Sequence, residues 1–143
     1  MAIVYFDSSA LVKLVLDEAG SELAAALWNG CDAAMSSRLA YPEVCAALAT
    51  AGRNRDLARS EVTSAMVEWE AFWASMRPVE LTAGVERVAG DLTAQHKLHG
   101  ADAVHLASAL ALGVADLTVA VWDKRLHAGA AAIGLAVAPS ALG

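Results

Sequence analysis

Apolar and polar positions along this chain follow two different periods. Short, largely apolar runs at Ile3 to Phe6, Leu117 to Val121 and, more weakly, Ala33 to Ser36 fit strands buried on both faces. Between them, apolar residues recur at helical spacing. The pattern predicts a helix opening around Ser8 and Ser9, a second from about Ser21 to Trp28, and a third from about Pro42 to Ala51, with Pro42 in its first turn. Ser60 to Met76 is the clearest amphipathic stretch. Val62, Ala65, Met66, Trp69, Trp73 and Met76 recur on one face, while Glu61, Thr63, Ser64, Glu68 and Glu70 take the others. Core packing accounts for this Met and Trp stripe, and a partner or dimer face is the alternative. Further on, a short strand is expected at Val79 to Leu81. A helix lined by Val85, Val88, Ala89 and Leu92 is expected to stop near His99 and Gly100, followed by another to about Leu112. Lys124 to Ile133 reads as a last helix and Leu135 to Ala138 as a closing strand. Strands alternating with helices predict an α/β sandwich on a parallel sheet.

Composition refines this picture. A length of 143 residues suits one domain, spanning 1–143. Hydrophobic residues make up 57%, and much of that excess is alanine, which favours helices and close packing. The oiliest region, Ala103 to Trp122, contains His105, Ser108, Gly113 and Asp116. It therefore reads as helix, turn and strand rather than a membrane span. The opening MAIVYFDSSALVKLVLDE has no basic lead, so no targeting segment is expected and a cytoplasmic, soluble protein is. Cys31 and Cys45 form neither a metal spacing nor a disulfide framework, and Cys45 reads as a buried thiol. The formal net charge of −6 argues against binding nucleic acid through a broad basic face. Any such function needs local Arg and Lys, or metal ions.

The acids carry the chemistry. Ligands of open parallel sheets gather at the carboxyl ends of the strands. Asp7 directly follows Ile-Val-Tyr-Phe, and Asp123 directly follows Val-Ala-Val-Trp. Glu43 opens the helix after the second strand, and Asp102 opens the helix before the late strand. Each alone has an ordinary explanation as a helix cap or first-turn acid. Four at equivalent positions around one sheet edge suggest a shared site. Clustered carboxylates repel one another unless a cation neutralises them, and Mg²⁺ prefers such oxygen ligands. His96, His99, His105 and His127 form no zinc pattern. His105, three residues after Asp102, is expected in the core or in support of a ligand. Ser8 and Ser9 are expected to cap or to contact Asp7.

DSSALVKL around Asp7, SSRLAYPEV around Glu43, GADAVHLASAL around Asp102 and VAVWDKRLHAGAAAIGL around Asp123 resemble the successive motifs of PIN-domain ribonucleases, in particular the VapC-type toxins of toxin–antitoxin pairs. The resemblance covers nearly the whole chain. It implies a PIN-like three-layer sandwich, a central parallel sheet flanked by helices, and RNA cleavage dependent on Mg²⁺ or Mn²⁺. By motif position, Asp7, Glu43, Asp102 and Asp123 are the implied catalytic set, with Asp7 and Asp102 as metal ligands. An RNA substrate, a cognate VapB-type antitoxin and a homodimer are the implied partners. The family often carries Ser or Thr two residues before the last acid, where this chain has Val121. Arg38, Lys124 and Arg125 are candidate phosphate contacts, and Trp122 either packs inside or stacks on a base. Two rival readings remain at this point. One is a catalytically inactive PIN-like interaction module. The other is an aspartate-based phosphotransfer domain, in which Asp7 takes a phosphoryl group, although Ser9 stands where such domains want a second Asp.

Overall fold

A computed structural model describes residues 1–55 and 57–143. The strand β1 (Ile3–Phe6) leads into α1 (Ser8–Val15) and α2 (Ser21–Gly30). From β2 (Ala33–Ser37) the chain enters α3 (Ala40–Asn54) and α4 (Arg59–Ala74). After β3 (Arg77–Val79) come α5 (Ala83–His96) and α6 (Gly100–Ala111), and β4 (Leu117–Ala120) is followed by α7 (Lys124–Ala132) and β5 (Ala136–Ala138). The strands form one parallel sheet in the order β3-β2-β1-β4-β5.

Alternation along β1 builds both faces of the sheet at once. Val4 and Phe6 join a core with Ala10, Leu11, Val44, Leu48 and Trp69 of α1, α3 and α4. Tyr5 points the other way, into a core with Val85, Leu92, Leu106 and Leu126 of α5, α6 and α7. The result is the expected three-layer sandwich, with the central strand buried on both sides. The Met and Trp stripe of α4 is core: Ala65, Trp69 and Met76 are buried, and Met66 and Trp73 pack against them. No helix among the described residues is long and apolar enough to cross a membrane.

Several boundaries differ from the sequence expectation. The first helix of the α5–α6 pair ends at His96, and Lys97 takes the left-handed cap conformation with φ of 53°. Gly100, expected to stop that helix, instead begins α6. Val88, expected on the core line, is 40% exposed. The third strand lies two residues earlier than expected, pairing Met35 with Arg77 and Ser37 with Val79. Pro78 is tolerated there because β3 is an edge strand, and Leu81 is left exposed. Met76 lies beyond α4, which ends at Ala74. Helix α3 starts two residues before Pro42. Cys45 is half-buried rather than enclosed.

Candidate active site

The chain crosses from β1 to β2 and β3 on one side and places β4 and β5 on the other. The crevice at the carboxyl ends of β1 and β4 is therefore the switch point where such sheets bind ligands. Asp7 leaves β1 at this place, its backbone N–H donating to the Ala120 carbonyl at 3.2 Å. Its side chain caps α1: Oδ1 accepts from the Ala10 N–H at 3.0 Å and from Ser9 Oγ at 2.6 Å. Ser9 Oγ in turn accepts the Trp122 N–H at 2.9 Å. One hydroxyl thus ties the end of β1 to the loop that carries Asp123. Asp123 caps α7, with Oδ1 accepting from the Leu126 N–H at 2.9 Å. Asp102, in the first turn of α6, reaches back with Oδ2 to the His99 N–H at 3.2 Å. Each of the three acids spends one oxygen on its helix. The second oxygen has no hydrogen-bond partner among the described residues.

These carboxylates feel one another. Asp7 is buried, and desolvation pushes its carboxyl up to about 6, against the pull of His105, Ser9 and the Ala10 N–H, with Asp123 adding to the rise. Burial also raises Asp102, and the charge of Asp123 raises it further. Asp123 itself is exposed. The structure therefore brings Asp7, Asp102 and Asp123 into one negative field, as their positions in the sequence suggest.

Glu43 is held differently. From the first turn of α3, its Oε1 lies 2.6 Å from His105 Nε2. The other imidazole nitrogen, Nδ1, is 2.8 Å from Tyr5 Oη. Tyr5 is fully buried, and that burial raises its phenol well above the usual range. Its ring meets the His105 ring edge-on at 5.9 Å. A buried Tyr–His–Glu chain thus fixes Glu43 from beneath, linking β1, α6 and α3. His105 is the supporting core histidine expected from its spacing to Asp102. Its specific pairing with Glu43, across 62 residues of chain, has no signal in the sequence.

The donor set fits a hard divalent cation held by few protein ligands. Among the described residues no three His, Cys, Asp or Glu side chains stand close enough to enclose a metal by themselves. Mg²⁺ does not require that: it is commonly held by one or two carboxylates, water and substrate phosphate. Asp7 and Asp102, each with an oxygen free of cap bonds and a raised pKa, suit that role.

The remaining candidates sort plainly. Val121 is enclosed in the core with Tyr5 and Leu126, so its side chain faces away from solvent, and Ser9 supplies the hydroxyl beside Asp7. Trp122 packs inward: a Cβ on Gly20 would lie 2.7 Å from its Nε1, and Lys13 Nζ sits 5.3 Å from its ring centroid. Arg38 is engaged by Glu80 at 2.7 Å. Lys124 and Arg125 are exposed beside Asp123.

Comparison with known proteins agrees with this geometry. The PIN domain family model matches residues 4–130. Two Mycobacterium tuberculosis proteins, Ribonuclease VapC45 and Ribonuclease VapC49, are each 66% identical to the chain over 142 residues, covering 99% of either partner. Ribonuclease VapC46 of the same organism is 33% identical over 141 residues, 98% of this chain and all of that one. Among solved structures, M. tuberculosis VapC20, described as a Sarcin-Ricin loop cleaving toxin, matches with a TM-score of 0.66 at 19% identity over 98% of this chain and 99% of its own. FitAcB from Neisseria gonorrhoeae matches with a TM-score of 0.70 at 16% identity, over 94% and 95%. At such identities these two structures speak for the fold alone.

Proposed function

The chain belongs to the PIN-domain family, among its VapC-type ribonuclease toxins, and on that premise we propose that it cleaves RNA by metal-dependent hydrolysis at the Asp7–Asp102 pocket. The observation that carries this reading is Asp7. A carboxylate buried at the sheet's switch point, with one oxygen outside its cap bonds and the charge of Asp123 in its field, is costly unless a cation neutralises it. Mg²⁺ or Mn²⁺, when bound, supplies charge for the phosphoryl oxygens and a water acidic enough to attack at neutral pH.

The chain's own residues do the rest. Asp7 and Asp102 would hold the cation, each having one oxygen that its helix cap does not use. Ser9 locks the Asp7 carboxylate in orientation. Glu43, steadied by His105, orients the attacking water. Asp123, at the exposed mouth, helps place a second ion or a water. The partners belong to the same proposal: an RNA substrate, a VapB-type antitoxin that blocks the acidic pocket, and a second copy of the chain, in the cytoplasm. The phosphotransfer alternative loses support, because Ser9 binds Asp7 where a second acid would be required.

Cleavage of single-stranded RNA by the purified protein tests the proposal. With Mg²⁺ the wild type is expected to cut, and EDTA is expected to stop it. Asp7→Asn should lower the rate at least about a hundredfold, the scale on which a preorganised charged group contributes to catalysis. Undiminished cutting in EDTA, or by Asp7→Asn, rules the mechanism out. Tight antitoxin binding without any cutting favours the inactive interaction module.

A further inference from the structure

A second cavity opens beside the first turn of α3, the turn that carries Glu43. It has a volume of about 390 Å³ and is lined by Arg38, Tyr41, Pro42, Glu70 and Trp73, within the size range of small-molecule sites. Tyr41 and Glu43 are two residues apart on that helix, so they face different sides of it. The cavity is a neighbour of the acidic pocket, not part of it.

Its chemistry is specific. Tyr41 and Trp73 present half-buried rings with centroids 5.5 Å apart. Trp69 backs both, at 6.1 Å from Tyr41 and 5.6 Å from Trp73. The indole N–H of Trp69 is the one buried side-chain polar atom without a partner among the described residues. Polar groups stand at the rim. The Tyr41 hydroxyl donates to Glu70 Oε1, and Glu80 holds the Arg38 guanidinium at 2.7 Å. Glu70 is exposed, and its carboxylate keeps lone pairs for further donors.

We propose that this cavity is a base-binding subsite for a guanine that flanks the cleaved phosphodiester. The inference rests on the ribonuclease reading above. Unstacked bases of single-stranded RNA are held by aromatic faces and read along their edges. The Tyr41 and Trp73 rings supply the face. Glu70, an acceptor only, matches the adjacent N1–H and N2–H donors that guanine alone among the four bases presents. Arg38, a donor only, matches the O6 and N7 acceptors on guanine's other edge. An acidic chain also needs a recognition mode that does not rely on phosphate attraction, and stacking with edge hydrogen bonds is such a mode.

The test is equilibrium binding of fluorescein-labelled hexauridylates carrying one guanosine, one inosine or neither, measured in EDTA so that cutting is off. Inosine keeps O6 and N7 but lacks the N2 amino group. The wild type is expected to bind the guanosine RNA about tenfold more tightly than the inosine RNA, the scale of one lost edge contact. Glu70→Gln should bring the two together, and Trp73→Ala should weaken all three. Glu70 is exposed, so its variant keeps the test valid even where Trp73→Ala folds poorly. Equal affinity of the wild type for the three RNAs overturns the proposal, as does Glu70→Gln retaining the guanosine preference. A second copy of the chain filling the cavity also overturns it, seen as a dimer that Trp73→Ala dissociates and that binds the three RNAs alike. Binding is measured without cutting, so failure here is separate from failure of the cleavage assay with Asp7→Asn.

Discussion

Asp7 is asked to be charged where charge is costly. Its folded pKa of about 6 lies above the ordinary 3.8, so the folded state binds that proton more tightly than the unfolded state does. The sign follows. Below about pH 4 both states are protonated and there is no penalty; as pH rises through about 6 stability is lost, and it stays lost at higher pH. Asp7→Asn removes the loss while keeping a side chain able to cap α1. Without metal, the variant should be more stable than wild type at pH 7 to 8 by up to about 3 kcal/mol. Its stability should also be flatter between pH 4 and 7, as urea melts across that range would report. Superimposable pH profiles contradict the assignment. His105 makes the opposite case, a polar group fully satisfied by Tyr5 and Glu43. His105→Ala removes one partner of the buried Tyr5 hydroxyl, unties Glu43 and opens a cavity, at an expected cost of about 2–5 kcal/mol in denaturant melts. The acids were legible in the sequence because each directly follows a strand or opens a helix. The imidazole's pairing was not, because proximity across the fold, rather than spacing, creates it.

Elements tell a similar story one level up. Strand β1 was readable from IVYF because a central parallel strand must be apolar on both faces. Helix ends were less readable. Gly100 suggested a stop, yet the left-handed cap falls to Lys97, and Gly100 is left to begin α6 where Asp102 can reach back to His99. That arrangement explains why an aspartate opens so oily a helix: it satisfies the helix start and presents its other oxygen to the crevice. The strained cap gives a prediction at this scale. Lys97→Gly places the residue best suited to positive φ where one is required. It should raise stability by about 0.5–1 kcal/mol in thermal melts, without altering cleavage. A loss of stability shows that the Lys97 side chain matters more than its backbone.

At the scale of the whole molecule, topology does the assembling. Three acids from segments 95 or more residues apart in part, Asp7 against Asp102 and Asp123, meet only because β1 lies beside β4 and because α6 packs on the same face as α7. The formal net charge of −6 then makes the cation central to cleavage, since it must reverse the field at the acidic pocket where the scissile phosphate is to sit. The most direct test is therefore the melting temperature of wild type and Asp7→Asn at pH 7 as Mg²⁺ is raised. A ligand that binds only the folded state stabilises it progressively with concentration. The wild type should start lower and climb with Mg²⁺, while Asp7→Asn should start higher and stay flat. A flat wild-type curve, or an equal climb in Asp7→Asn, contradicts a metal held at Asp7.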